Sequence, residues 1–124
     1  MIRRILVATD GSETAGQAVD RAVDVARTTG AALTVLSAGE EAVAAGVVQA
    51  EAARLAAAGV AVDTLVVAGD PAAAIVGTAR EEGFDLVVVG NKGMTGPRRH
   101  FTLGSVPNKV SHSLTCSLLL VRTT

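Results

Sequence analysis

The chain has 124 residues, a formal net charge of -1 and a composition that is 49% hydrophobic but only 2% aromatic. That length suits one domain with a core of Val, Leu, Ile and Ala, and the charge provides no global basic field of the kind a nucleic-acid partner needs. One cysteine, Cys116, argues against a disulfide framework and for a reducing cytoplasm, and no apolar run reaches the length of a signal peptide or a membrane span.

Taken in chain order, the elements alternate. "RRILVAT" (3–9) is an apolar run read as strand one. From Glu13 the period becomes helical, with Ala15, Ala18, Val19, Ala22 and Ala26 on one face and Gln17, Asp20, Arg21 and Asp24 opposite. Gly30 stands where a left-handed C-terminal residue belongs. "ALTVLSA" (32–38) is strand two, and Ala44, Val48, Ala52 and Leu55 form a second helical stripe that stops at Gly59. "VAVDTLVVA" (60–68) alternates at its start like an edge strand. Asp70-Pro71 reads as an N-cap followed by proline at the first helical position. Ala72, Ile75, Val76 and Ala79 then face inward, and Gly83 ends that helix. "DLVVVG" (85–90) is unbroken and therefore central; Val106 and Val110 begin a last helix; "CSLLLVR" (116–122) is a last strand, with Cys116 as a small core residue.

Five strands and four helices in alternation predict a single α/β domain over residues 1–124, a three-layer sandwich on a five-stranded parallel sheet with right-handed crossovers. Ligands of such sheets sit beyond the carboxyl ends of the strands, where the strand order reverses. In the order 3-2-1-4-5, the loops after strands one and four flank that point. They are the unusual ones: "ATDGSETAG", and "GNKGMTGPRRHFTLGS" (90–105).

Glycine lets backbone amides turn toward an anion with no Cβ in the way, and a helix N-terminus adds partial positive charge. Gly90, Gly93, Gly104 and Ser105 therefore have the makings of a phosphate cradle. Two nucleotide fingerprints fail. "GSETAGQA" (11–18) has P-loop glycine spacing, but Gln17-Ala18 occupies the places of the Lys and Ser/Thr. The first strand-to-helix turn lacks G-x-G-x-x-G, which argues against a Rossmann dinucleotide site. No cluster has metal-ligand spacing, and His112 beside Ser111 reads as a partly exposed helix residue, since nothing sets a triad in hydrogen-bonding order.

"ILVATDGSETA", "GDPAAAIV", "DLVVVGNKGMTG" and "GSVPNKVSH" together resemble the universal stress protein family, over essentially the whole chain and in the family's order. The resemblance implies an adenine nucleotide alpha hydrolase-like fold and, in the ATP-binding branch, a motif G-x2-G-x9-G-[S/T]. This chain has Gly90-x2-Gly93-x10-Gly104-Ser105, one residue longer, with the extra residue in "PRRHFT". By the same resemblance Asp10 accepts hydrogen bonds from ribose hydroxyls; its alternative is an N-cap partnered by Glu13 in a capping box. Ala8 flanks the nucleoside, Thr9 belongs to the same binding set, and the backbone of Ala38 reads the adenine edge. Gly90, Gly93, Gly104, Ser105 and Val106 contact phosphates. Asn91 and Lys92 lie within the motif, Lys92 either pairing with a phosphate or solvated. Arg98, Arg99 and His100 are a solvated arm or a closure over the phosphates. The second helix region is short for the family, which opens the adenine side.

The expected function is an ATP-binding regulatory or stress-response protein of the cytoplasm, with any Mg²⁺ or Mn²⁺ arriving with the nucleotide. No residue stands out as a general base, so turnover is slow at most. A preference for cyclic AMP is the nearest variant. A nucleotide-free interaction module is the rival from another class. An adenylyl-transfer enzyme is disfavoured, because "TDGSE" replaces the H-x-G-H signature of that group. The resemblance also implies a homodimer through the apolar last strand, Cys116 to Arg122, and no nucleic-acid or membrane partner.

Overall fold

The computed structural model describes residues 1–91 and 103–123. Its elements run β1 (Arg4–Ala8), α1 (Glu13–Thr29), β2 (Ala32–Ala38), α2 (Glu41–Ala57), β3 (Asp63–Val67), α3 (Pro71–Glu82), β4 (Leu86–Gly90), α4 (Ser105–Ser113) and β5 (Ser117–Val121). All four strand pairings are parallel, in the order β3-β2-β1-β4-β5. The expected sheet is therefore the observed one.

Alternation along each strand divides the core in two. Ile5 and Val7 point to the face that carries α1 and α2, where Val19, Val35, Val48, Leu55 and Val88 join them. Leu6 points to the other face, with Leu36, Ile75, Val87 and Val110 under α3 and α4. Ile5, Leu6 and Val7 have no exposed surface, and burial of each stabilises the fold by about 1.5–3 kcal/mol. With so few aromatics, branched aliphatic residues on both faces of the central strands carry the packing.

Helix ends follow their local chemistry. Gly30 and Gly83 take left-handed conformations at the ends of α1 and α3, at φ 77 and 72. No side chain with a Cβ adopts that conformation without strain. Asp70 caps α3 by accepting from the Ala73 N–H at 3.0 Å, ahead of Pro71.

Several expectations shift. Strand three begins at Asp63 and not at residue 60, because the chain leaves α2 through Gly59 and Val60, whose amides bond back to Ala56 and Leu55. The last strand is Ser117–Val121, so Cys116 precedes it, and Cys116 is partly exposed rather than a core residue. Glu51 is buried on α2, whereas Ala52 of the expected stripe is only half-buried. Arg54 compensates by hydrogen-bonding both Glu51 and Asp20 of α1. No helix among the described residues is long and apolar enough to cross a membrane.

A cleft at the carboxyl ends of the strands

From β1 the chain turns to α1 on one face of the sheet, and from β4 to α4 on the other. Adjacent strands that leave in opposite directions cannot close over their own carboxyl ends, and a crevice opens between them. Its empty volume is about 520 Å³, open solvent at the mouth included. Leu36, Ile75 and Val89 contribute apolar wall; Thr9, Asp10, Ser12, Thr14 and Thr123 contribute polar groups.

The turn after β1 is tightly specified. The Thr9 N–H donates to the Leu36 carbonyl at 2.9 Å, and Thr9 Oγ1 accepts from the Gly11 N–H at 3.0 Å. Asp10 Oδ1 accepts from the Ser12 N–H at 2.9 Å, and Ser12 Oγ accepts from the Ala15 N–H at 3.2 Å. Gly11 is needed here twice over: its φ is +86, and a Cβ would stand 3.2 Å from Val47 Cγ2. The N-cap of α1 is Ser12 and not Asp10. The capping-box alternative for Asp10 is thereby corrected: its carboxylate closes a two-residue side-chain turn one step upstream. No described residue donates to its second oxygen, and Asp10 stays half-exposed in the cleft wall.

Three helices present their N-termini to this cleft, through Thr14 and Ala15 of α1, Pro71 of α3, and Val106 and Pro107 of α4. They differ in capping. Ser12 caps α1 and Asp70 caps α3, while α4 starts on Gly104 with no side-chain cap. Among the described residues no side chain takes the first-turn amides of α4, and such amides suit an anionic ligand. In α4 these belong to Ser105 and Val106, since Pro107 has no N–H.

Of the residues expected in the site, Ala8, Thr9, Asp10, Ala38, Gly90 and Val106 all line the cleft. Asn91, Gly104 and Ser105 are not part of its lining, with Gly104 buried and Ser105 exposed. Lys92, Gly93, Arg98, Arg99 and His100 lie outside the described residues. His112 is exposed on α4, its Nδ1 2.8 Å from the Asn108 carbonyl and remote from the lining. Among the described residues, no three His, Cys, Asp or Glu gather as a metal site would require.

Sequence reasoning missed Ser12, Thr14, Ile75 and Thr123. Ser12 and Thr14 were legible in principle, as hydroxyls bracketing a helix start. Thr123 carried no signal, since only the sheet order brings the end of β5 beside β4.

Comparison with known proteins gives a consistent result. A model of the Universal stress protein family matches residues 1–51 and 37–122. The chain is similar to Universal stress protein YxiE of Bacillus subtilis (strain 168), at 36% identity over 149 residues, covering 98% of this chain and 100% of that one. It also resembles the crystal structure of a universal stress protein in complex with cAMP, with 34% identity, a TM-score of 0.84, and coverage of 99% of this chain and 98% of that one. A universal stress protein from Archaeoglobus fulgidus in complex with dAMP shares the fold at 20% identity, with a TM-score of 0.78 over 98% of this chain and 100% of that one. The adenine nucleotide alpha hydrolase-like architecture is thus shared. An alignment of 149 residues is longer than this 124-residue chain and must place gaps in it. The overlap of the two family matches at 37–51 falls where only Gly39 and Glu40 separate β2 from α2.

Proposed function

Because the chain belongs to the universal stress protein family, we propose that its cleft holds an adenine nucleotide, ATP in the first instance. The protein then acts as a nucleotide-dependent regulatory or stress-response protein, with at most slow ATP turnover. The observation that carries this reading is that the N-terminus of α4, which has no side-chain cap, and the half-exposed Asp10 line the same cleft. A nucleotide needs both: an acceptor for ribose hydroxyls and a donor set for phosphates.

In this reading Leu36, Ile75 and Val89 flank the base, Ala8, Thr9 and Ala38 border the nucleoside, and Asp10 takes the ribose. Gly90, Gly93, Gly104, Ser105, Val106 and Lys92 form the phosphate end. A divalent cation such as Mg²⁺ or Mn²⁺ enters with the nucleotide and neutralises phosphate charge. Cyclic AMP is the second reading, favoured by the cAMP complex of the similar protein and by the one-residue-longer spacing between Gly93 and Gly104. The apolar edge strand β5, where Leu120 is 39% exposed, pairs with a second copy of the chain. A cytoplasmic location and a single domain over residues 1–124 complete the proposal.

Calorimetric titration of nucleotide-free protein with ATP, ADP and cyclic AMP tests it. Tightest binding of ATP supports the first reading and tightest binding of cyclic AMP the second. No binding by folded, empty protein moves the assignment to a nucleotide-free interaction module. Gly104→Val is expected to abolish binding while leaving the circular dichroism spectrum unchanged, since Gly104 sits at φ -61, which valine tolerates.

A further inference from the structure

We propose that Asn91 is a positioning residue: through a clasp with Thr123 it sets the opening turn of α4, and so controls affinity for the phosphate end of a nucleotide. This rests on the reading of the cleft as an adenine-nucleotide site. The resemblance placed Asn91 within the nucleotide motif; its hydrogen bonds point to a different task.

Asn91 follows β4 and bonds to two separate parts of the chain, the end of β5 and the start of α4. Its N–H donates to the Val121 carbonyl at 2.8 Å, and its carbonyl accepts from the Gly104 N–H at 3.0 Å. Its side-chain Oδ1 accepts from the Thr123 N–H at 2.9 Å and from Thr123 Oγ1 at 3.2 Å. The orientation of the amide follows from chemistry, because a backbone N–H can only donate and the atom facing it must be the oxygen. With two donors on it, Oδ1 is committed to Thr123.

Two features make this clasp matter to the cleft. First, α4 has no side-chain cap of its own, so its start is held from outside, by the Gly104 bond to Asn91. Second, Thr123 lines the cleft and leans on Gly90, where a Cβ would lie 3.5 Å from Thr123 Cγ2. Asn91, itself not part of the lining, therefore joins the end of β5 to the helix whose amides face the opening. A residue so placed acts on a ligand only through the segments it holds.

The test compares wild type, Asn91→Ala and Thr123→Val in titrations with adenosine and with ATP, together with amide hydrogen exchange. Adenosine affinity is expected to hold within about twofold in Asn91→Ala, whose residue is not part of the cleft lining. ATP affinity is expected to fall about tenfold in Asn91→Ala and about threefold in Thr123→Val, the scale of one or two net hydrogen bonds. The Gly104 amide is expected to exchange faster in Asn91→Ala, although alanine retains the carbonyl to which it bonds. Equal losses for adenosine and ATP in Asn91→Ala, or no loss for ATP, would overturn the proposal. If wild type binds neither compound, the adenine-nucleotide reading fails by itself; the exchange arm still decides the clasp, and unchanged Gly104 protection would overturn it.

Discussion

At the amino ends of the strands β1, β2 and β4 are tied to one another, whereas at the carboxyl ends the strands part around a cleft. Asp85 Oδ2 accepts from the N–H groups of Arg3 and Arg4 at 2.8 and 2.9 Å. The Arg3 carbonyl accepts from Ala32 and the Arg4 carbonyl from Asp85. The Arg4 guanidinium lies 4.3 Å over the Phe84 ring and donates to the Glu82 carbonyl. Among the described residues, Asp85 Oδ2 and the Arg4 side chain are thus committed to neighbouring segments of the chain. At the opposite end, Asp10 lines an open cleft and α4 starts with no side-chain cap. One sheet thus has an end that contributes stability and an end where polar groups are held ready.

Four substitutions probe that contrast. The largest effect is expected from Ile5→Ala, a fully buried side chain beneath α1. It should lose about 2–5 kcal/mol in urea denaturation, while the nucleotide affinity of the folded fraction stays the same. A matching loss of affinity would mean that the two ends are not separable.

Next is Asp85→Ala, which unties the amino end and should lower the urea midpoint at neutral pH. Hydrogen bonds from Arg3 and then Arg4 hold the Asp85 carboxyl below its usual range. A depressed carboxylate contributes stability above the unfolded value of roughly 3.9, and that contribution is lost as pH falls through the lower, folded value. The gap between wild type and variant should therefore be full at neutral pH and close below about pH 4. A gap that is constant with pH would refute the role assigned to the charge.

Ser12→Ala removes the α1 cap at the cleft and should lose about 1 kcal/mol. Unlike the first two, it should also alter nucleotide binding, because Ser12 lines the opening. The smallest effect belongs to Asp20→Ala. Its carboxylate is 59% exposed where it meets Arg54, and solvent limits such pairs to under about 1 kcal/mol. That loss should shrink further in high salt, whereas the Ser12→Ala loss should not.

The sequence by itself was sufficient for the order and type of the nine elements, the stops at Gly30 and Gly83, and the start at Asp70-Pro71. Each depends on chemistry within a few residues: a period of two or 3.6, a glycine able to turn left-handed, a carboxylate within reach of the next amides. The six residues Ala8, Thr9, Asp10, Ala38, Gly90 and Val106 named through the family resemblance line one opening, since parallel strands bring their carboxyl ends to the same side. Local spacing offered Asp10 as the cap of α1, whereas the structure puts Ser12 there, after the chain turns through Gly11 beside Val47. Spacing did not reveal why Glu51 is buried, which depends on Arg54 reaching back to Asp20 on another helix. The bond between Asn91 and Thr123 spans 32 residues and exists only because β5 lies beside β4. Elements are encoded by neighbours along the chain, but their mutual restraints are encoded by neighbours in space, and those come into being only when the sheet assembles.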